Sequence, residues 1–206
     1  MLECASEAPP LVARPRAKTA TAMTDLDEAR SPHPMVALTG FMGCGKSTTG
    51  RELAQLLGWE FVDLDETIRR QERFSIREVF SQRGEAAFRA IEHRALQACL
   101  AEHSKPTILA LGGGAFVQAN NAELLASCKV VTVFLDVPVE ELLRRCAGED
   151  EREGENPRPL AVDSASFRRL YEERLPAYRR ADLTVSTGGK KPSEAAREIA
   201  AKLGMP

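Results

Sequence analysis

The residues best suited to chemistry lie in one run, Gly40-Phe41-Met42-Gly43-Cys44-Gly45-Lys46-Ser47-Thr48. It has the Gly-x-x-x-x-Gly-Lys-Ser form of a phosphate-binding loop. It also has the setting that form requires, with apolar Met35-Val36-Ala37-Leu38 before it and helix-favouring Arg51-Glu52-Leu53-Ala54-Gln55-Leu56-Leu57 after it. Three glycines let the backbone adopt positive φ and approach a ligand with no Cβ in the way. The successive N–H groups then form a nest at the positive end of a helix dipole, which suits a polyphosphate. Lys46 would reach the β- and γ-phosphates, and the Ser47 hydroxyl would ligate magnesium. Cys44 carries a thiol inside the loop, but a small residue filling a loop position is its simpler account.

A phosphate loop names a donor and leaves the acceptor open. Phe61-Val62-Asp63-Leu64-Asp65 ends a second apolar run, and on an extended backbone Asp63 and Asp65 would project the same way. One carboxylate beside a magnesium-nucleotide site can hold the ion through water, and another can accept a hydroxyl proton. Asp65 reads equally as a helix N-cap before Glu66-Thr67-Ile68-Arg69. Arg89 and Glu92 are three apart and can pair on one helical face, fixing the guanidinium or forming an ordinary surface ion pair. Gly112-Gly113-Gly114 follows a third apolar run, where three glycines suggest backbone pressed against a ligand. From Cys146 to Ser164 the chain is polar and acidic and carries Arg158-Pro159-Leu160. That fits a mobile lid over about 148–164 bearing a phosphate-binding arginine, or a solvated loop. Arg174 sits in Arg174-Leu175-Pro176-Ala177-Tyr178, ending a helix before the last strand, whereas Arg168, Arg169, Arg179 and Arg180 read as solvated.

Several elements must position these groups. Apolar runs at 35–39, 59–63, 107–111, 130–136 and 182–186 read as buried parallel strands. Helical stretches lie between them. Gly58 would terminate the helix after the loop, Ser75-Ile76-Arg77-Glu78 is a capping box, and Ser193 would start a last helix ending at Leu203-Gly204. Alternating strand and helix means an α/β domain with a parallel sheet and its ligands at the carboxyl ends of the strands. The 206 residues suit one domain with a tail. Residues 1–34, interrupted by Pro9, Pro10, Pro15, Pro32 and Pro34, read as a disordered leader without a secretory h-region, and 35–206 as the domain. Arg14, Arg16 and Lys18 hint at organelle targeting, the leader's acidic residues weaken that, and Met23 is an alternative start. A net charge of −2 argues against a general nucleic-acid binder. Five cysteines without Cys-x-x-Cys spacing imply reduced thiols and a cytoplasmic setting with no structural zinc. No apolar run approaches the ~20 residues that span a bilayer.

Taken together, Gly-x-x-Gly-x-Gly-Lys-Ser-Thr, Asp-x-Asp, Gly-Glu-x-x-Phe-Arg, Gly-Gly-Gly, Arg-Pro-Leu and Arg-x-Pro-x-Tyr resemble the shikimate kinase family over residues 35 to about 203. The resemblance implies transfer of the ATP γ-phosphoryl group to the 3-hydroxyl of shikimate, in aromatic amino-acid biosynthesis. It also implies a nucleoside-monophosphate-kinase-like P-loop fold, with a five-stranded parallel sheet flanked by helices and a mobile lid. By resemblance, Gly43, Cys44, Gly45, Lys46, Ser47 and Thr48 hold ATP, with Ser47 and Asp63 around magnesium. Asp65 binds the acceptor hydroxyls and acts as base. Arg89, Gly113, Gly114 and Arg174 hold the shikimate carboxylate and ring, and Glu92 steadies Arg89. Arg158 is the lid arginine, Arg145 resembles the adenine-stacking arginine, and Pro192 falls near the adenine-side loop. Lys46, Arg158 and Asp65 are the catalytic expectations. The leader and a longer, more acidic lid depart from the family pattern. The expected partners are shikimate and ATP alone, with no nucleic acid or membrane, acting on a cytoplasmic monomer. The rivals are a gluconate kinase-like enzyme of the same fold and a non-catalytic shikimate-kinase-like binding protein.

Overall fold

The computed structural model describes residues 34–150 and 163–205. The leader expected over 1–34 therefore lies, apart from Pro34, outside the described residues, as does Arg158. Five parallel strands form the sheet: β1 (Met35–Thr39), β2 (Glu60–Asp63), β3 (Thr107–Ala110), β4 (Val131–Asp136) and β5 (Leu183–Ser186). Their spatial order is β2-β3-β1-β4-β5. Each of the five expected apolar runs holds one strand. Between them lie α1 (Lys46–Leu57), α2 (Leu64–Glu72), α3 (Ile76–Glu102), α4 (Ala119–Ser127), α5 (Val139–Asp150), α6 (Ser164–Tyr178) and α7 (Pro192–Lys202).

This order creates the cleft. β1 leads by α1 past β3 to β2 on one side, whereas β3 leads by α4 past β1 to β4 on the other. The loops after β1 and β3 thus diverge over neighbouring strands and leave a crevice at the carboxyl edge, where open α/β sheets take ligands. β1 is central and wholly buried, which its unbroken apolar sequence requires. α1 packs through Leu53 and Ala54. It can lie close to the sheet because residue 50 is glycine: a methyl group there would fall 2.5 Å from the Phe61 ring.

Helix ends follow local chemistry. Gly58, at φ 66°, closes α1 with its N–H on Ala54 and Gln55. The Ser75–Glu78 capping box forms with both halves, at 3.2 and 2.7 Å. Gly84, at φ 78° and ψ 170°, is not helical and kinks α3 early in its length.

Three expectations need correction. The N-cap of α2 is Asp63, which accepts from the Glu66 N–H at 3.2 Å, so Asp65 already lies in the first helical turn. Asp63 and Asp65 therefore do not share an extended backbone. Helix α7 begins at Pro192, which suits the first turn because proline has no N–H to leave unpaired, and Lys191 is the N-cap. The stretch beginning at Cys146 is helical through Asp150 as the end of α5, and Asp163 caps α6 through Ala165 and Ser166. Helix α6 passes through Pro176 and ends at Tyr178, as the Arg174-Leu175-Pro176-Ala177-Tyr178 run predicts.

Candidate active site

Three consecutive glycines after β3 gather the site, each meeting a different partner. A methyl group at Gly112 would lie 2.6 Å from Asp65 Oδ1 and 3.0 Å from Glu92 Oε1. At Gly113 it would approach the phosphate loop, 3.5 Å from the Met42 nitrogen and 3.9 Å from the Gly40 carbonyl. At Gly114 it would collide with both terminal nitrogens of Arg89, at 2.6 Å. The glycines at 112 and 114 also leave room for the protein's own carboxylates and guanidinium.

Arg174 joins the group from α6. Its Nη1 donates to the Gly113 carbonyl at 3.3 Å, and its guanidinium lies over the Phe41 ring, 5.8 Å from the centroid. The Tyr178 hydroxyl donates to the same carbonyl. Asp65, Arg89 and Arg174 therefore converge from α2, α3 and α6 on one loop, and that loop touches the phosphate loop.

Arg89 is held by two carboxylates, Glu92 at 2.9 Å and Glu85 at 3.1 Å, with Phe80 and Phe88 beside it. The surface-pair alternative fails because Glu92 is only 1% exposed. Burial pushes the Glu92 carboxyl above the usual glutamate range, with the Arg89 charge and hydrogen bond opposing it and the nearby Asp65 adding to it. Such a pair is costly to break, since one buried charge would be left uncompensated. The buried Nε of Arg89 has no hydrogen-bond partner among the described residues, so the group retains a donor.

On the other side of the cleft, Gly40, Gly43 and Gly45 all have positive φ, at 142°, 77° and 90°, as the loop's curvature demands. The Lys46 ammonium donates to the Gly40 and Phe41 carbonyls, both at 3.0 Å, across the mouth of the loop. Ser47 Oγ donates to Asp63 Oδ2 at 2.5 Å. These two oxygen ligands from α1 and the end of β2 fit a magnesium ion, a hard cation that keeps waters and takes its other oxygens from phosphate. Among the described residues no group of three or more His, Cys, Asp or Glu side chains could hold a metal by itself.

Behind the loop, a cavity of about 110 Å³ is lined by Gly45, Thr48, Arg145, Thr187, Lys190 and Pro192 among others. Arg145 and Pro192, distant in sequence, meet here. Arg145 donates to the Gly43 carbonyl at 3.2 Å and to Glu141 at 2.5 Å. Glu141 also accepts from the Gly189 N–H; that bond, with Arg145, lowers its carboxyl pKa. Thr187 Oγ1 is buried with no partner among the described residues, leaving a hydroxyl for a ligand to bond.

Sequence reasoning gave no role to Phe41, Thr187, Glu141 or Tyr178. Tyr178 alone left a signal, standing two residues after Pro176 in the Arg-x-Pro-x-Tyr run. The others act through contacts between segments far apart in the chain.

Comparison with known proteins identifies the family. A family model described as shikimate kinase matches residues 42–204. A shikimate kinase from Persephonella marina is 36% identical over 168 residues, 82% of this chain and 98% of that protein. One from Thermus thermophilus is 38% identical over 178 residues, 85% of this chain and 93% of its own. The structure of the Acinetobacter baumannii shikimate kinase in complex with shikimate superposes with a TM-score of 0.74 at 36% identity, covering 84% of this chain and 94% of that one. On these matches and this fold, the chain belongs to the shikimate kinase family.

Proposed function

We propose that this cleft transfers the γ-phosphoryl group of ATP to the 3-hydroxyl of shikimate, giving shikimate 3-phosphate and ADP for aromatic amino-acid biosynthesis. The protein is an ATP-dependent kinase of its family, and the proposal assigns the parts. The observation that carries it is the convergence of Asp65, Arg89 and Arg174 on Gly112–Gly114, against the loop that carries Lys46. Shikimate is a small carboxylate with several hydroxyls. Guanidinium forks suit the carboxylate, and an aspartate suits the hydroxyls.

In this reading the backbone of residues 43–48 cradles the phosphates, and Lys46 leaves its two carbonyls to pair with the transferred group. Ser47 and Asp63 hold the magnesium ion, which when bound neutralises phosphate charge. Arg145, Pro192 and Thr187 line the space for the base. Arg89 and Arg174 grip the acceptor's carboxylate, with the Gly113 and Gly114 backbone beside the ring. Asp65 accepts the hydroxyl proton as the oxygen attacks the γ-phosphorus and the bond to ADP breaks. Phosphoryl transfer has a loose transition state, so positioning and charge neutralisation contribute more than proton abstraction. Arg158 remains the arginine assigned to the lid expected over about 148–164, whose first and last residues belong to α5 and α6.

A monomer in a cytoplasmic setting completes the reading. No helix among the described residues is long and apolar enough to cross a membrane. An ADP-release assay with shikimate, gluconate and nucleoside monophosphates tests the proposal. Turnover only with shikimate is expected, and turnover with gluconate but not shikimate would refute it. Nucleotide binding with no transfer to any acceptor would instead favour a binding protein. Asp65→Asn should cut turnover by ~10²–10⁴-fold, the range for a general base. Near-normal turnover in that variant would remove Asp65 from the chemistry.

A further inference from the structure

Tyr178 closes α6 and is fully buried. Its ring stacks on Phe134 of β4 with centroids 5.4 Å apart and planes at 21°. Its hydroxyl and Arg174 Nη1 donate to one acceptor, the Gly113 carbonyl, and together engage both of that oxygen's lone pairs. Burial pushes the phenol pKa far up, so the hydroxyl stays a donor throughout any ordinary assay range.

The peptide from Gly113 to Gly114 is planar, with its carbonyl and the following N–H pointing in opposite directions. Drawing the carbonyl toward α6 therefore turns the Gly114 N–H the other way. Arg174 stands at the carbonyl side of this peptide, and the Arg89 guanidinium fills the space that a side chain at Gly114 would take. One peptide plane thus separates the two guanidinium groups. The turn bond from the Ala115 N–H to the Gly112 carbonyl, at 3.0 Å, spans this peptide, and the two donors on the Gly113 carbonyl add an outside hold on a plane flanked by glycines.

We propose that Tyr178 is a positioning residue for the acceptor's carboxylate: its hydroxyl fixes the Gly113 carbonyl and thereby the spacing between Arg174 and Arg89. The inference rests on the reading of Arg89 and Arg174 as carboxylate ligands. Without the hydroxyl, the Gly113 carbonyl is left to Arg174, which draws that guanidinium away from the substrate.

Tyr178→Phe removes one oxygen and keeps the ring against Phe134. In steady-state kinetics on the full chain, the KM for shikimate should rise roughly tenfold, about the effect of one hydrogen bond. The KM for ATP should not change. The fall in kcat should be smaller than the rise in KM, because both arginines grip ground and transition states alike. Arg174→Lys and Phe134→Leu are measured alongside. Arg174→Lys should also raise the shikimate KM. Phe134→Leu loosens the ring but retains the hydroxyl, so it should lower the melting temperature and leave the ratio of the two KM values unchanged. An unaltered shikimate KM in Tyr178→Phe, with a raised one in Arg174→Lys, overturns the positioning role and leaves the carboxylate reading standing. No change in either overturns both. An equal rise for both substrates in Tyr178→Phe, or a shikimate-selective rise in Phe134→Leu, means general loosening and overturns the inference.

Discussion

Gly114→Ala should separate the protein's stability from its recognition of the acceptor. The added methyl would sit 2.6 Å from both Arg89 terminal nitrogens and 2.9 Å from their carbon, whereas ordinary contact begins near 3.4 Å. The guanidinium must therefore retreat by roughly 0.8 Å, on the scale of the ~1 Å misplacements that can cost ~10²-fold in activity. The obstacle is the tip of a flexible side chain, so the fold should lose no more than the low end of the ~1–3 kcal/mol typical of overpacking. Retreat is not free, because Glu92 holds that tip at 2.9 Å and is itself buried. The guanidinium should keep its buried partner and surrender its aim. We expect a shikimate KM raised ~10–100-fold, an unchanged KM for ATP, and a melting temperature within a few degrees of the parent. Steady-state kinetics against each substrate and a thermal melt measure all three. A shikimate KM that does not move would mean that the Arg89 position is irrelevant to the acceptor, and the assignment of this pocket would fall.

Three further outcomes are expected. Glu92→Gln should show a pH-dependent difference from the parent. The Glu92 pKa is raised in the folded state by burial, so its contribution is fully present below the unfolded value and is lost as pH rises through the folded one; the melting temperature of the Gln variant relative to the parent should thus climb with pH across and above the ordinary glutamate range. Over the same range the parent's shikimate KM should rise as pH falls and Glu92 releases Arg89, an inflection the Gln variant should lack; identical profiles would separate Glu92 from Arg89 function. Asp63→Ala removes the α2 cap and the Ser47 partner together, costing ~1 kcal/mol of stability and raising the magnesium concentration needed for half-maximal rate; a normal magnesium titration would show that Asp63 is only a cap. Arg89→Lys loses the bidentate fork, so shikimate binding should weaken while ATP binding holds, as separate titrations would show.

Much of this fold and half of this site are local matters, legible before any coordinates. β1 and β4 had to be buried parallel strands because β1 is apolar up to Thr39 and β4 is apolar on both faces apart from Thr132 and its closing Asp136, and a central strand must satisfy two covered faces. The phosphate loop could be read because its glycines, lysine and serine act within one turn, with their backbone geometry set by residue type. The Ser75–Glu78 cap and the Gly58 stop were readable for the same reason, as each closes within four residues. The distinctions that failed were also local but finely balanced. Asp63 and Asp65 can both cap a helix, and the cap falls to whichever residue ends the strand; pairing of β2 with β3 decides that, with Asp63 level with Ala110.

Resemblance to a family could name Arg89, Arg174 and Asp65 from the sequence, but residue spacing could not bring them together. They sit on three helices, and only the β2-β3-β1-β4-β5 order, which sends the loops after β1 and β3 in opposite directions, opens the crevice where they meet. Whether Arg89 and Glu92 were a solvated pair or a buried one depended on what packed over them, and the sequence holds no record of that. The three glycines were visible as glycines. Their separate purposes, clearance for two carboxylates, contact with the phosphate loop and room for a guanidinium, exist only once distant segments share one volume. Covalent neighbours dictate backbone conformation over a few residues, and burial and charge pairing between remote segments decide the rest.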